Sequence, residues 1–399
     1  MIRFGRRGTF WSSAVVLALS LWASGAPSVL YPVYAAEWGL TPVITTSVFS
    51  AYPLALLIVL FFFGSLSDTI GRRRAMLLGI ALIAIAAIAF AVAPNVGFLF
   101  LGRVLQGVGT GFAIGAASAA LVENNFTRSP RLASTLATIS TATGLTLALV
   151  VSGALAQLAP LPLVLSFVVL FALSAVAFVL VALTPDDRSA DRVAWTFQVP
   201  RLAAGMMRPF VLATISVSVA YAIGAVFLSL GAQMARQLTG TTDLLVIGLL
   251  LGISSFAIGF TALFLSKVPA HVAILVGGIL SIAGLGVMIA TAAAGSVALF
   301  VAWCVVGGVA YSFAFSGGLG LINRVAPAHH RGATLSLLYL FSYLVQAGVA
   351  VGAGALATSL GLRMAVDVVA PALALLCLAA VILAVVDLAA ARRTALQPA

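Results

Sequence analysis

Residues 64–74 read GSLSDTIGRRR. They stand between two apolar stretches, each long enough to cross a bilayer. A carboxylate, a glycine turn and three arginines fill the short connection between two candidate spanning helices. Charge gathered so tightly between apolar runs marks a place where helices lock or pivot.

The rest of the chain supports a membrane reading. Its 399 residues are 63% hydrophobic and only 7% charged, with a mean hydropathy of +1.23. Soluble domains carry about 25% charged residues, so a chain this apolar is an integral membrane protein. A β-barrel would show segments of roughly ten residues with alternating polarity. The apolar runs here are twice that length, so the expected class is all-α. The net charge of +11 does not point to nucleic acid, because the basic residues fall in short bursts between apolar runs. Cys304 and Cys377 lie in separate apolar runs, and His271, His329 and His330 at span edges. No metal site, cofactor or disulfide framework is expected from these spacings.

Twelve spans can be drawn: 10–36, 42–66, 75–94, 96–123, 132–159, 161–183, 209–235, 243–266, 270–292, 295–322, 332–359 and 364–388. With the N-terminus inside, every basic residue except Arg103, Arg236 and Arg363 falls on the cytoplasmic side. That satisfies the positive-inside rule. It also favours keeping the first run, behind Arg3, Arg6 and Arg7, as a span rather than a cleaved signal peptide. The expectation is a multi-pass protein of a bacterial inner (cytoplasmic) membrane, monomeric, with both termini cytoplasmic. Residues 184–208 form the longest polar stretch, and Trp195 and Phe197 suggest that it lies on the membrane surface.

The two halves are related. A shift of about 200 residues aligns Gly25-Ala26 with Gly224-Ala225, Ser67 with Ser266, Gly107 with Gly307 and Arg131 with Arg331. The string GALA at 153–156 recurs at 354–357. A six-span shift preserves orientation, so the repeat is parallel, with its axis along the membrane normal. The expected organisation is a six-helix bundle over 1–184, a cytoplasmic linker over 185–208 and a second bundle over 209–399. The seam between the bundles is the expected solute site.

Polar residues within the spans are unevenly placed. The run 75–94 has no hydroxyl or amide, whereas the first, fourth, fifth, seventh, tenth and eleventh spans carry many. Polar side chains are costly against lipid, so they face other helices or water. Trp22, Tyr31, Gln106, Tyr221, Tyr311, Tyr339, Tyr343 and Gln346 are therefore candidates for the solute or proton pathway. Arg103 stands alone as a basic residue deep in a span, where insertion costs roughly 3 kcal/mol. It must face protein or water. Gly107, Gly111 and Gly115, four residues apart, read as a packing stripe. In the 64–74 connection, Gly64 should allow close approach to a neighbour. Asp68 can cap a helix or pair with an arginine, Gly71 supplies the turn, and Arg72, Arg73 and Arg74 anchor the loop.

GSLSDTIGRRR closely resembles the loop 2–3 signature of the major facilitator superfamily, G-x-L-x-D-R-x-G-R-R, with Thr69 at a position that is often Arg. RVLQGVG at 103–109 resembles that family's fourth-span motif, R-x-x-Q-G-x-G. Span count, length and 6+6 repeat agree over essentially the whole chain. The resemblance implies a conformational clasp at Gly64, Asp68, Gly71, Arg72 and Arg73, with Glu123 as the acid that pairs with Arg72. It implies a role for Arg103 in proton coupling or solute binding; the alternative is a structural arginine bonded to carbonyls of a neighbouring helix. In the second half Lys267 stands where Asp68 does and Trp303 where Arg103 does, so the mechanical parts occur once. Ala148-Leu149 stand where drug antiporters carry Gly-Pro. Carboxylates are sparse: Glu37, Asp243 and Asp367 lie near span ends, and Asp367 is four residues after Arg363, as an ion pair would require.

The resulting expectation is a non-enzymatic secondary transporter that moves a small organic molecule by alternating access. Proton-coupled export of drug-like compounds or metabolites is the first reading. Uptake symport or facilitated passage of a neutral or anionic metabolite is the second. A non-transporting receptor or scaffold on the same fold is the third. Expected partners are the bilayer, a small-molecule substrate and protons.

Overall fold

A computed structural model of the chain describes residues 4–64, 66–127, 130–186, 202–327 and 331–395. The side chains of Asp68, residues 130–132, Ser134, Leu238, Thr239, Ser266 and residues 390–395 lie outside that description. So do Trp195, Phe197, His329 and His330.

Among the described residues the chain is helical throughout. The helices are α1 (Arg6–Gly25), α2 (Tyr31–Trp38), α3 (Pro42–Phe63), α4 (Leu66–Ile70), α5 (Arg72–Ala91), α6 (Val96–Glu123), α7 (Pro130–Leu158) and α8 (Leu165–Ala182). The second half supplies α9 (Met207–Thr239), α10 (Leu244–Phe264), α11 (Ala270–Ala294), α12 (Val297–Val325), α13 (Arg331–Leu360) and α14 (Leu362–Ala395). Among the described residues eleven helices are long and apolar enough to cross a membrane. α1 and α2 together cover the run expected as the first span. We call the end of the bundle that holds the start of α1 and residues 66–71 the basic end, and the opposite end the far end.

Packing repeats across the halves. In the first, α1 packs on α6 and α7, α3 on α6, and α5 on α6 and α8. In the second, α9 packs on α12 and α13, α10 on α12, and α11 on α12 and α14. Each pair is the six-span image of the other, which gives two pseudo-symmetric six-helix bundles. The bundles meet mainly through α3 with α13 and α7 with α10, and these two contacts are themselves symmetry mates.

Lipid tails give helices no hydrophobic reason to associate, so close backbone approach must supply the attraction. Glycine makes that approach at several crossings. A Cβ on Gly144 would collide with the Ala18 carbonyl where α7 crosses α1. One on Gly107 would collide with the Tyr52 carbonyl of α3, and Gly111 meets Val59 on the same helix. Gly115 does not continue the stripe: nothing lies within 4 Å of where its Cβ would be.

The first predicted span, 10–36, is broken. Pro27 has no N–H to return to Ala23, and here the helix ends just before it, at Gly25. The Ser28 N–H turns to Gly25 O at 3.0 Å and the Leu30 N–H to Pro27 O at 3.0 Å. Two tight turns thus separate α1 from α2, and the Ser24 carbonyl loses its usual helical donor.

The packing differences are testable by thermal unfolding in detergent. Gly144→Ala should cost about 1–3 kcal/mol through overpacking against backbone. Gly115→Ala should be neutral or slightly stabilising, since Ala is the better helix former. Equal midpoints for the two variants would contradict the packing described.

Candidate functional site

Arg103 lies on α6, about two turns from its far-end terminus, with no exposed surface. Its guanidinium is held by the broken first span. Nη1 donates to the Ser24 carbonyl at 2.9 Å. Nε and Nη2 both donate to the Tyr31 hydroxyl, Nε at 2.8 Å. Nη1 also donates to Gln106 Oε1 at 3.3 Å. The rings of Tyr31, Phe49 and Tyr52 surround it, with centroids 5.4, 5.9 and 5.8 Å from Cζ. A guanidinium has five donors, and four are used here. Among the described residues no carboxylate pairs with it.

The break at Pro27 explains why the arginine fits. An unbroken helix would keep the Ser24 carbonyl bonded to its own chain and carry Tyr31 on past the guanidinium. Breaking the helix frees one acceptor and swings a second, the phenol, into reach. Two further polar atoms on the same helices are buried without a partner, Trp22 Nε1 and Gln106 Nε2, while the Thr110 hydroxyl faces that of Tyr52.

The second half supplies aromatic faces. Tyr221 on α9 lies 4.8 Å from Tyr343 of α13 and stacks on Phe315 of α12 at 5.7 Å, ring centroid to ring centroid. Tyr311 lies 5.9 Å from Phe315, and Tyr339 lies 6.1 Å from Tyr343. The Tyr221 and Tyr343 hydroxyls are 3.5 Å apart. Tyr52 of the first half is close enough to interact electrostatically with Tyr311 and Tyr343. Tyr52 thus stands beside Arg103 and on the side of the seam that faces the tyrosine cluster. Gln346 Oε1, one turn along α13 from Tyr343, is buried without a hydrogen-bond partner.

A cavity of about 420 Å³ opens on the far-end side of Tyr31. Thr45 of α3 and Ser229, Gln233 and Arg236 of α9 are among its walls. Ser229 Oγ is buried and unpartnered.

At the basic end, Gly71 has φ 92°, a conformation that favours glycine, and it turns α4 into α5. Arg72 pairs with Glu123 at 3.2 Å and donates to Ser67 Oγ at 2.6 Å. Arg6 donates to the Asn125 carbonyl beside them at 2.8 Å. Arg73 donates to the Ala182 carbonyl at 2.6 Å, at the C-terminus of α8 where the helix dipole favours a cation. Arg74 pairs with Asp186 at 3.1 Å. The three arginines thus tie α5 to α6 and α8 within one bundle. The Asp68 side chain lies outside the described residues.

Several expectations need correction. Gly64 does not allow close approach to a neighbour. It is exposed, and the nearest atom to its Cβ position is Leu60 O of its own helix at 2.6 Å. Arg363 and Asp367 form no ion pair among the described residues. Both are exposed, and an arginine preceding an acid by four is the weaker orientation on a helix. The second span is not among the helices that polarity marks as lining, yet α3 brings Phe49 and Tyr52 to Arg103. Sequence reasoning misses Tyr52, Phe315 and the Ser24 carbonyl. Pro27 is the available sign for the last.

The profile of the Major Facilitator Superfamily matches residues 10–287. A segment of 112 residues is 37% identical to an uncharacterized MFS-type transporter, EfpA, of Mycobacterium tuberculosis. That match spans 28% of this chain and only 21% of the relative. A bacterial homolog of the human lysosomal transporter Spinster, in an inward-facing unoccupied conformation, superposes with a TM-score of 0.71 at 14% identity, over 96% of this chain and 95% of that one. A POT family transporter in complex with 5-aminolevulinic acid gives 0.73 at 13% identity, over 96% and 95%. A point mutant of the nucleoside transporter NupG gives 0.73 at 11% identity, over 94% and 99%. At such identities the likeness is one of fold. With the profile match across most of its length, the chain belongs to the Major Facilitator Superfamily.

Proposed function

We propose that this chain is a secondary transporter that moves a small, partly aromatic organic molecule bearing an anionic or strongly accepting group, by alternating access. The observation that carries the reading is Arg103: fully buried, with one donor unused and no carboxylate partner among the described residues. A charge-assisted hydrogen bond from such a fork contributes about 1.5–3 kcal/mol, or roughly tenfold to a hundredfold in affinity. The tyrosine cluster across the seam offers ring faces to the apolar part of the same solute.

The organisation we assign is a bundle over 1–184, a linker over 185–208 and a bundle over 209–399. The membrane is the bacterial cytoplasmic membrane, with the basic end inside and the protein working as a monomer. Proton-coupled export is the direction and energy source we assign, on the resemblance of residues 64–74 and 103–109 to superfamily motifs. Uptake or facilitated passage is the second reading. The lack of a described carboxylate beside Arg103 favours it, because proton coupling calls for a titratable group near the pathway.

Counterflow in proteoliposomes tests the substrate class with matched pairs such as benzoate and benzamide. The carboxylate of each pair should be preferred by about tenfold or more. Equal handling of both members would remove the role given to Arg103, and no counterflow of any solute would favour a receptor or scaffold. An imposed pH gradient should drive solute movement if protons are coupled. Counterflow that persists while the gradient drives nothing would assign a facilitator.

We assign Asp68, Gly71, Arg72, Arg73 and Glu123 to a clasp that biases the conformational cycle. Glu123→Gln should change stability by less than about 1 kcal/mol, because the pair with Arg72 is partly exposed. It should nevertheless slow counterflow severalfold. An unchanged rate would reduce the segment to a topological anchor.

A further inference from the structure

The repeated GALA strings occupy equivalent places in the two contacts that join the halves. Gly153 of α7 lies so close to α10 that a Cβ there would collide with the Leu244 carbonyl and stand 3.2 Å from Gly248 Cα. Gly354 of α13 lies as close to α3, where a Cβ would collide with Thr46 Oγ1 and stand 2.9 Å from Pro42 O. Both crossings are at the far end, where α10 and α3 begin.

One turn beyond each glycine stands a polar side chain. Gln157 Oε1 accepts from the Leu244 N–H at 3.0 Å. Thr358 Oγ1 accepts from the Val43 N–H at 2.9 Å. The offset from Gln157 to Thr358 equals that from Gly153 to Gly354, so the repeat keeps the geometry while changing the accepting group.

These bonds do more than decorate a contact. The first turn of a helix has N–H groups with no partner in the helix. In α10, Asp243 takes the N–H groups of Leu245 and Val246 but leaves that of Leu244. In α3, Pro42 has no N–H, and Ile44 and Thr45 return theirs to Thr41 O. The Val43 N–H is left over. In each half, then, the remaining orphan donor is satisfied by the opposite half.

We propose that Gln157 and Thr358 are twin positioning residues that cap a helix of the opposite bundle and so hold the far end closed. When the far end opens, water takes over both N–H groups, because Gln157 and Thr358 already lie at the solvent-exposed rim. Each latch is therefore a modest bias between two states rather than a permanent bond. The cavity floored by Tyr31 is flanked by both: Thr45 lies beside the Val43 latch and Thr242 beside the Leu244 latch. The proposal rests on alternating access but not on the identity of the solute.

The test is pulse-dipolar distance measurement on the full chain in lipid nanodiscs. Spin labels at Val92→Cys and Val297→Cys place one exposed far-end site on each bundle, while the native Cys304 and Cys377 are buried. Loss of one hydrogen bond should raise the ratio of open to closed distances by about threefold to tenfold. Thr358→Val and Gln157→Leu should each do so, and the double variant should multiply the two factors. Thr358→Ser and Gln157→Glu keep an accepting oxygen and should restore the wild-type ratio. The closed-biased transport step should change in parallel, with altered turnover and unchanged solute affinity for the closed state. A ratio that is the same in Thr358→Val and Thr358→Ser would overturn the latch. If no variant ever gives a second distance, alternating access itself fails, and that outcome is distinct from a second distance insensitive to residues 157 and 358.

Discussion

A single cation buried in an apolar bundle sets the terms for the first half of this protein. Arg103 has no exposed surface and no carboxylate partner among the described residues. A guanidinium cannot shed its proton to escape that setting, so acceptors have to be brought to it. The chain brings them by giving up a helix: Pro27 ends α1, frees the Ser24 carbonyl and turns Tyr31 inward. The apparent flaw in the first span and the charge in the fourth are two parts of one arrangement.

That arrangement sits in a frame built twice. Helix contacts in one half are reproduced in the other, and the two main contacts between halves are images of each other. The frame does not duplicate its chemistry. Trp303, packed against Phe227 and Phe300, stands in the second half where Arg103 stands in the first. Lys267 stands where Asp68 does. The buried arginine belongs to one bundle and the tyrosine cluster to the other, while both bundles have ties at the basic end, where Asp387 of α14 meets Arg208 of α9 at 3.2 Å and His271 of α11 at 2.7 Å, and both share the far-end contacts.

Much of the frame was legible in the sequence because lipid imposes long-range rules on composition. Span length, the placement of arginines and the six-span offset follow from those rules, and so does the Arg72–Glu123 pairing once the loop motif is recognised. What was not legible depends on local geometry. The break at Pro27 looked like part of one long apolar run, since proline is tolerated in membrane helices. Tyr52 is not legible, because a lone tyrosine in an apolar span gives no sign of which neighbour it meets. Gly64 belongs to a matching motif, yet among the described residues the atoms near its Cβ position are those of Leu60 in its own helix, so no neighbouring helix requires a glycine there. The GALA repeat was visible as text, but its meaning lay in the N–H groups it faces.

The fork of Arg103, rather than its charge alone, is what the arrangement of Ser24, Tyr31 and Gln106 preserves. Counterflow and solute affinity of Arg103→Lys measure that distinction directly, because lysine keeps the charge and loses the planar donor set. A loss of solute affinity of about tenfold or more, in a variant that still inserts and unfolds near the wild-type midpoint, is the expected result. Wild-type affinity and rate in Arg103→Lys would contradict it and leave Arg103 as a charge with no part in holding the solute.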